Sequence, residues 1–182
     1  MHFRGKPCNI SWQPSREKKM LKTYGQCDMN QLKKTLEVLN DLIEVNGQRI
    51  WSYQAVLEGP ADKADAELNM VFEQIIGQGQ RLQEDLELEF VALAHDLPVK
   101  GNPSGTILRT WNIVKSTFAE KDALSISEFF NTGERALLKA YQYAEKQTGI
   151  VPSSKDLITR QKNELSMFYR QYKQLYKTHQ FA

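Results

Sequence analysis

The stretch that decides the fold is residues 32–57, LKKTLEVLNDLIEVNGQRIWSYQAVL. Side chains that suit a helical interface recur in it at alternating spacings of four and three residues, which places them along one face of a single long α-helix. Asp28 is suited to cap the start of this helix, and Gly59-Pro60 is suited to end it. The predicted face consists of Leu32, Leu36, Leu39, Ile43, Asn46, Ile50, Tyr53 and Leu57.

Three later segments show the same period, and no stretch alternates apolar and polar residues as a half-buried strand would. We expect the second helix to end near Leu97-Pro98, the third to end at Gly149, and the fourth to start after Pro152-Ser153-Ser154. The predicted inward residues are Leu68, Phe72, Ile75, Gly79, Leu82, Leu86, Phe90 and Leu93 in the second helix; Ile126, Phe130, Gly133, Leu137, Ala140 and Ala144 in the third; and Ile158, Gln161, Leu165, Phe168, Tyr172 and Leu175 in the fourth.

The links between these helices predict how the helices are connected. The first and third links are short, so each should join an antiparallel hairpin. The second link is long: residues 98–106 are rich in turn formers, and a short amphipathic piece follows at 107–118. The sequence therefore predicts an all-α, ferritin-like four-helix bundle with a long crossover, containing a short helix, between the second and third helices.

Composition places these helices in one globular unit. The chain has 182 residues, 24 Lys and Arg against 22 Asp and Glu, and 41% hydrophobic residues. A domain of this size buries roughly 70% of the surface of its unfolded chain, so it needs neither a metal nor a disulfide to fold. The apolar runs are far shorter than the roughly 20 residues of a membrane span. The amino-terminal residues also lack the apolar core of a secretory signal. We therefore expect a cytoplasmic protein without membrane contact.

Residues 1–28 form a basic amino-terminal arm that precedes the bundle of residues 29–182. The arm carries six Lys or Arg and two Asp or Glu, a net charge of +4, and its prolines and glycines interrupt any period. The arm has no motif or aromatic pattern typical of nucleic-acid binding, so nucleic acid is not the expected partner, whereas an acidic partner would suit its charge. Cys8 and Cys27 lie in the arm without a CxxC spacing and are interpreted as reduced thiols.

Three segments in register resemble a known family. They are Leu39-Asn-Asp-Leu-Ile-Glu44, Ser104-Gly-Thr-Ile-Leu-Arg-Thr-Trp111 and Gly133-Glu-Arg-Ala-Leu-Leu-Lys-Ala-Tyr141. Over about residues 32–178 the chain resembles the uncharacterised ferritin-like four-helix-bundle proteins of bacteria, a domain-of-unknown-function family distantly similar to the YciE/YciF stress-associated proteins. The resemblance implies a bacterial ferritin-like bundle, commonly paired into dimers, whose activity is unsettled.

Ferritin-like proteins that bind two iron or manganese ions use a Glu on each of two helices and a Glu-x-x-His on each of the other two. This sequence has no Glu-x-x-His, and its histidines, His2, His95 and His179, lie away from the middle of the predicted helices. Compared with the family that it resembles, this sequence also departs from the usual pattern at positions that are often acidic or histidine. These are Trp51, Asn131-Thr132-Gly133-Glu134 and Phe168.

Glu44, Glu134 and Glu164 remain as candidate metal-binding carboxylates because each lies beside a predicted inward position. We interpret them as solvated or salt-bridged helix flanks, since charged residues beside a helix seam usually stay in water or pair across it. No catalytic and no cofactor-binding residue is predicted. The mid-bundle polar residues on the predicted inward faces are the amides Asn46 and Gln161.

Glycines within predicted helices need a packing reason, because each costs about 1 kcal/mol relative to alanine. We hypothesise that Trp51, Tyr53 and Phe168 fill the space beside Gly79 and Gly133, in the volume that a metal site occupies in other ferritin-like proteins. A leucine at Gly79 should then overpack the core at a cost of roughly 1–3 kcal/mol.

The expected function is that of a non-enzymatic ferritin-like bundle without a complete di-metal site, which acts through packing or homo-association, as a homodimer. The alternative is a di-iron or manganese metalloprotein with a stress or metal-handling role. A third reading is a regulatory protein whose basic arm contacts an acidic partner.

Overall fold

The computed structural model describes residues 29–58, 66–94, 107, 111 and 126–179. These residues form four long helices and no strand: α1 (Met29–Leu57), α2 (Ala66–Ala94), α3 (Ile126–Glu145) and α4 (Pro152–His179). The all-helical prediction is confirmed for this part of the chain. The arm with its two cysteines, the Asp28 cap, the Gly59-Pro60 stop and the 98–106 loop lie outside the described residues.

Side-chain contacts give the direction of each helix. Arg49 and Asn46 of α1 contact Glu134 and Tyr141 of α3, so residue numbers rise along one helix as they fall along the other. The contacts show that α1 and α2, α2 and α4, and α3 and α4 are also antiparallel pairs. Helices α2 and α3 therefore point the same way, and the link between them begins at one end of the bundle and finishes at the other.

Two residues of that link are described, and both are helical and buried. The backbone N–H of Ile107 donates to Oδ2 of buried Asp41 over 3.0 Å, and the indole N–H of Trp111 donates to Gln48 over 2.9 Å. Both acceptors lie on α1, so these two residues of the link lie against that helix. An acidic residue at Asp41 is thus buried because its carboxylate satisfies a buried backbone donor.

The interior has two apolar clusters, one towards each end. The aliphatic cluster contains Leu39, Leu42, Leu86, Leu137 and Ile158, all fully buried. The aromatic cluster contains Tyr53, Phe72, Phe130 and Tyr172, and half-buried Phe168 packs against it. The inward positions predicted for α2 and α4 are confirmed at Phe72, Ile75, Leu82, Leu86, Ile158, Gln161, Leu165 and Tyr172.

The predicted inward faces of α1 and α3 are confirmed at most positions and need correction at others. The confirmed residues are Leu36, Leu39, Asn46 and Tyr53 on α1 and Phe130, Leu137, Ala140 and Ala144 on α3. The buried face of α1 is turned toward Leu42, Val45 and Arg49, whereas Ile43 and Ile50 are half-buried. On α3 the buried face includes Glu134 and Tyr141, whereas Gly133 is only half-buried. Both helices contact two neighbours at once, so a broader face is buried than a single seam of alternating spacings describes.

The ends of the helices differ slightly from prediction. Helix α4 starts at Pro152 instead of after Ser154, whereas the predicted end of the second helix near Leu97-Pro98 lies outside the described residues. Proline suits the first helical position because its missing N–H would have had no partner in the helix. Gly149, in the turn after α3, has φ of +70°, a left-handed conformation that glycine adopts without a steric cost.

Candidate functional site

A buried ion pair between α1 and α3 lies in the middle of the bundle. Nε and Nη2 of Arg49 each lie 2.8 Å from a different carboxylate oxygen of Glu134, so the contact is bidentate. Arg49 is 3% exposed and Glu134 is 1% exposed. A desolvated charge of this kind is tolerated only when it is paired and hydrogen-bonded, which the fork of a guanidinium on a carboxylate achieves.

Two neighbours complete what we call the charged layer, formed by Arg49, Tyr53, Gln78 and Glu134. The hydroxyl of Tyr53 donates to Oε1 of Glu134 over 3.0 Å, and Nη2 of Arg49 also donates to Oε1 of Gln78 over 3.2 Å. The Glu134 carboxylate thus accepts three hydrogen bonds from α1. Burial lowers the pKa of Arg49, but the charge and hydrogen bonds of Glu134 outweigh this effect, and the pKa is raised overall.

A hydrogen bond to α4 connects the charged layer to the solvent-exposed surface. Nε2 of Gln78 donates to Glu164 over 3.1 Å, and exposed Glu164 lies 3.5 Å from Nη2 of Arg81. Two of the sequence-predicted carboxylates, Glu134 and Glu164, are therefore linked by one amide side chain. Glu164 takes part only at the solvated rim of the network.

Gly79 on α2 makes room for the guanidinium. A Cβ atom at this position would lie 2.8 Å from Cγ1 of Ile50 and 3.5 Å from Nη1 of Arg49. At Gly133 the nearest atom to a Cβ would be the Tyr53 hydroxyl at 3.8 Å, an ordinary contact. The hypothesis that Gly79 avoids a clash is supported, but the neighbours are Ile50 and the Arg49 head instead of an aromatic ring.

A second polar layer lies about one helical turn away and carries no charge. Nδ2 of Asn46 donates to the Tyr141 hydroxyl over 2.9 Å, and that hydroxyl donates to Oε1 of Gln161 over 2.9 Å. Nε2 of Gln161 then donates to the backbone carbonyl of Leu82 over 3.0 Å. We call Asn46, Tyr141 and Gln161 the amide layer; with Leu82 it joins all four helices. Burial raises the pKa of Tyr141, so its hydroxyl stays protonated within the layer.

The three candidate carboxylates of the sequence analysis lie in three different environments. Glu134 is in the centre, so its interpretation as a helix flank is wrong, although it is salt-bridged. Glu164 is exposed, and Glu44 is half-buried on the outer side of α1. The structure brings Glu134 and Glu164 into one network and leaves Glu44 outside it.

Sequence reasoning missed Arg49 as an interior residue because an arginine is seldom fully buried. A signal was nevertheless present. Leu42, Asn46, Arg49 and Tyr53 follow spacings of four, three and four, the same helical period as the predicted face. An arginine on such a face predicts a buried anionic partner on another helix, which here is Glu134.

The residues at the centre do not fit the two-metal site that the ferritin-like resemblance implies. Two adjacent divalent cations need several anionic oxygens, and ferritin-like templates supply them from all four helices. Here the Glu134 carboxylate is neutralised by Arg49, and the other buried carboxylate, Asp41, lies about 12 Å further along α1. Among the described residues, no group of three or more His, Cys, Asp or Glu side chains is placed to hold a metal ion.

Aromatic rings pack directly against the charged layer. The ring of Tyr53 lies 5.2 Å from that of Phe72 and 5.4 Å from that of Phe129, and Phe168 lies 4.3 Å from Tyr172. Tyr53 thus lies beside Gly133 as predicted, whereas Phe168 is half-buried against the aromatic cluster and Trp51 lies outside the interior. Trp51 is 63% exposed on the outer side of α1.

Trp51 borders a shallow groove between α1 and α2. The groove has a volume of about 340 Å³, and Ile43, Gly47 and Gln83 contribute to its walls and floor. We call this surface the Trp51 face. It lies on the far side of α1 from the two polar layers.

The model of a domain of unknown function, DUF2383, matches residues 34–147. The chain belongs to this family. The DUF2383 match covers most of α1, all of α2 and all of α3, and therefore both Arg49 and Glu134, whereas α4 lies beyond it. No curated protein and no solved structure matches the chain. None of the described helices has the length and hydropathy that a membrane span requires.

Proposed function

We propose that this DUF2383 chain is a non-enzymatic, ferritin-like helical bundle that acts by associating with a second copy. In this proposal its centre is held by an ion pair in place of a di-metal site. The ferritin-like assignment is supported by the antiparallel contacts and by the parallel directions of α2 and α3, which the second link joins. A bacterial cytoplasmic protein distantly related to the YciE/YciF stress proteins fits the same proposal.

The observation that carries the proposal is the bidentate contact between Arg49 and Glu134. A metal ion at Glu134 would have to displace the guanidinium, which would then be buried without its partner. Removing one member of a buried pair costs about 3–5 kcal/mol. The geometry therefore favours the closed, metal-free centre over metal binding, and with it a role that does not depend on catalysis.

The Trp51 face supports association with a second copy. A twofold dimer uses the same patch on both partners, so that patch must present both a projection and a recess. Here exposed Trp51 supplies a large side chain, and the groove that it lines together with Gly47, one turn earlier on α1, supplies a recess. Tryptophans that insert into a recess are frequent anchors of protein interfaces.

The test is metal analysis of untagged protein with sizing in the same run, on the unmodified chain and on Trp51→Ala. We expect metal-free dimers whose dissociation constant rises about 30-fold in Trp51→Ala, the effect of losing an anchor of about 2 kcal/mol. Met167→Ala is the control, since Met167 is 69% exposed on α4, away from the Trp51 face, and it should leave the dimer unchanged.

Each part of the proposal has an outcome against it. About two equivalents of iron or manganese per chain would replace it by the metalloprotein alternative. If the protein were monomeric at all concentrations, association with a second copy would be ruled out. If Trp51→Ala did not weaken the dimer, the Trp51 face would not be its interface.

A further inference from the structure

A second groove lies between α2 and α4 and takes no part in the polar layers. It has a volume of about 490 Å³ and is lined by Asp85, Leu88, Glu89, Asp156, Leu157 and Arg160, with Ser153 at its end. We call it the α2–α4 groove. Leu88 is 65% exposed there, and Val91, one turn further along α2, is 66% exposed. Leu88 and half-buried Leu157 give the groove an apolar floor, and Val91 extends the exposed apolar surface beyond it along α2.

The rim of the groove is acidic. Three of its lining side chains are carboxylates and one is a guanidinium, a net charge of −2. Nη2 of Arg160 contacts Asp85 over 3.3 Å at the exposed surface, whereas Glu89 accepts hydrogen bonds from the hydroxyls of Ser153 and Ser154. Glu84 and Glu87 add two exposed carboxylates on the same helix. An apolar floor with an acidic rim suits a partner segment that is both basic and apolar.

The groove lies at the end of the bundle where α1 begins. Near the start of α1, Gln31 donates to the Ile150 carbonyl over 3.1 Å, and Val151 donates to the Thr35 hydroxyl over 3.0 Å. The first turns of α4, which line the groove, follow directly after Val151. Residue 28 therefore joins the bundle at the same end as the groove, and 28 residues span up to roughly 90 Å when extended.

Residues 1–28 have the composition that the groove requires. Six Lys or Arg against two Asp or Glu give this segment a charge of +4, and Ile10, Trp12, Met20 and Leu21 stand among them. We propose that residues 1–28 bind the α2–α4 groove of the same chain. The cations face the carboxylate rim, and apolar side chains cover Leu88 and Val91. The acidic partner of the basic arm is then the rim of this groove, whose net negative charge comes from Asp85 and Glu89 on α2.

The test is paramagnetic broadening in the full-length protein. Both native cysteines are replaced by serine, and a nitroxide label is attached at Leu88→Cys. We expect loss of amide signals within residues 1–28. The control is the same label at Met70→Cys, because Met70 is exposed on the same face of α2 about 27 Å away. Broadening of the arm that is equal from both labels would overturn the proposal.

Charge variants test the rim. Asp85→Lys combined with Asp156→Lys should restore the lost arm signals, as should 1 M salt, which shortens the screening length to about 3 Å. Glu58→Lys combined with Glu73→Lys makes the same charge change on exposed residues at the far end of the bundle and should restore nothing. Arm signals that respond to neither the groove variant nor salt would contradict the charge argument.

A mixed sample separates binding within a chain from binding between chains. Isotope-labelled protein without a nitroxide is mixed with unlabelled protein that carries the nitroxide at position 88. Binding within a chain predicts no broadening in this sample. Broadening here that matches the single-chain sample would overturn the assignment to the same chain. The result does not depend on the Trp51 face, so either proposal can fail alone.

Discussion

The charged layer and the amide layer lie one helical turn apart and solve the same problem differently. Each buries polar side chains from several helices at the centre of the bundle. The charged layer does so with a full ion pair, Arg49 and Glu134, whereas the amide layer uses a phenol between two amides. The side chains of the amide layer carry no charge, so the desolvation cost of burying them is smaller. The two layers should therefore differ in what happens when one member is removed.

The comparison teaches which layer dictates the arrangement of helices. An unpaired amide inside the bundle costs about 1–3 kcal/mol, whereas an unpaired buried charge costs about 3–5 kcal/mol. An alternative packing that separated Arg49 from Glu134 would be penalised more heavily than one that separated Asn46 from Tyr141. We infer that the charged layer specifies the register of α1 against α3.

The largest expected effect is at the ion pair. Arg49→Met should lower the free energy of unfolding by about 3–5 kcal/mol, because Glu134 would be left charged and buried. Chemical denaturation monitored by circular dichroism measures the loss. The double variant Arg49→Met, Glu134→Leu removes both charges and should recover most of it. A cost of Arg49→Met no larger than that of Tyr141→Phe would contradict the proposed difference between the two layers.

A smaller effect should follow from filling the space beside Arg49. Gly79→Leu should destabilise by roughly 1–3 kcal/mol, because the added side chain meets Ile50 and the guanidinium. Gly77→Ala is the matched change on the same helix. Nothing lies within 4 Å of a Cβ there, so this variant should stabilise by up to about 1 kcal/mol. Equal unfolding midpoints for the two variants would refute the packing role of Gly79.

The amide layer should respond to loss of its shared hydroxyl. Tyr141→Phe removes one of the two acceptors of Asn46 Nδ2, which keeps the Leu42 carbonyl, and removes the donor to Gln161 Oε1. The expected cost is about 1–3 kcal/mol. Tyr143→Phe removes a phenol that is 45% exposed on the same helix and should cost under about 0.5 kcal/mol. A loss as large as that of Arg49→Met would contradict the ranking of the two layers.

The same hydroxyl should also shape stability at alkaline pH. Burial raises the pKa of Tyr141, so above about pH 10 the unfolded chain loses a proton that the folded chain keeps. Stability then falls with rising pH, by up to about 1.4 kcal/mol per pH unit from this group. The fall should be shallower in Tyr141→Phe than in Tyr143→Phe. Identical slopes in the two variants would rule out this contribution.

The smallest effect should come from an ion pair near the surface, which serves as a reference for the buried one. Nζ of Lys162 lies 2.6 Å from Glu145, and both side chains are partly exposed. The hydrogen bond from Lys162 lowers the pKa of Glu145, so the stabilisation is present at neutral pH and is lost as pH falls through that lowered pKa. Glu145→Gln should cost under about 1 kcal/mol at pH 7.

Salt titration of the unfolding midpoint separates the two kinds of pair. Glu84→Gln, which alters an exposed carboxylate on α2, is the control for Glu145→Gln. High salt should remove the difference between the unmodified chain and Glu145→Gln, whereas the cost of Arg49→Met should persist because water and ions do not reach the centre. If high salt reduced the cost of Arg49→Met as much as that of Glu145→Gln, the pair of Arg49 and Glu134 would be accessible to solvent.

The sequence alone predicted the helical period and the inward position of the two mid-bundle amides. Spacings of three and four residues follow from 3.6 residues per turn, which is a local property of the chain. Phe72, Leu82, Leu86 and Leu165 were assigned to the interior on this basis and are buried. The burial of Arg49 on α1 and of Glu134 on α3 was not predicted, because it depends on a partner that lies on another helix.

The sequence by itself determined that four amphipathic helices would form and that they would bury Asn46 and Gln161. The sequence also excluded a Glu-x-x-His metal motif, since that motif depends only on residue types and spacing. Only the tertiary structure decided that Arg49 and Glu134, 85 residues apart, lie in contact. Whether a charged side chain is buried depends on its partner, and the partner stands on another helix, whose position follows from packing rather than from local periodicity.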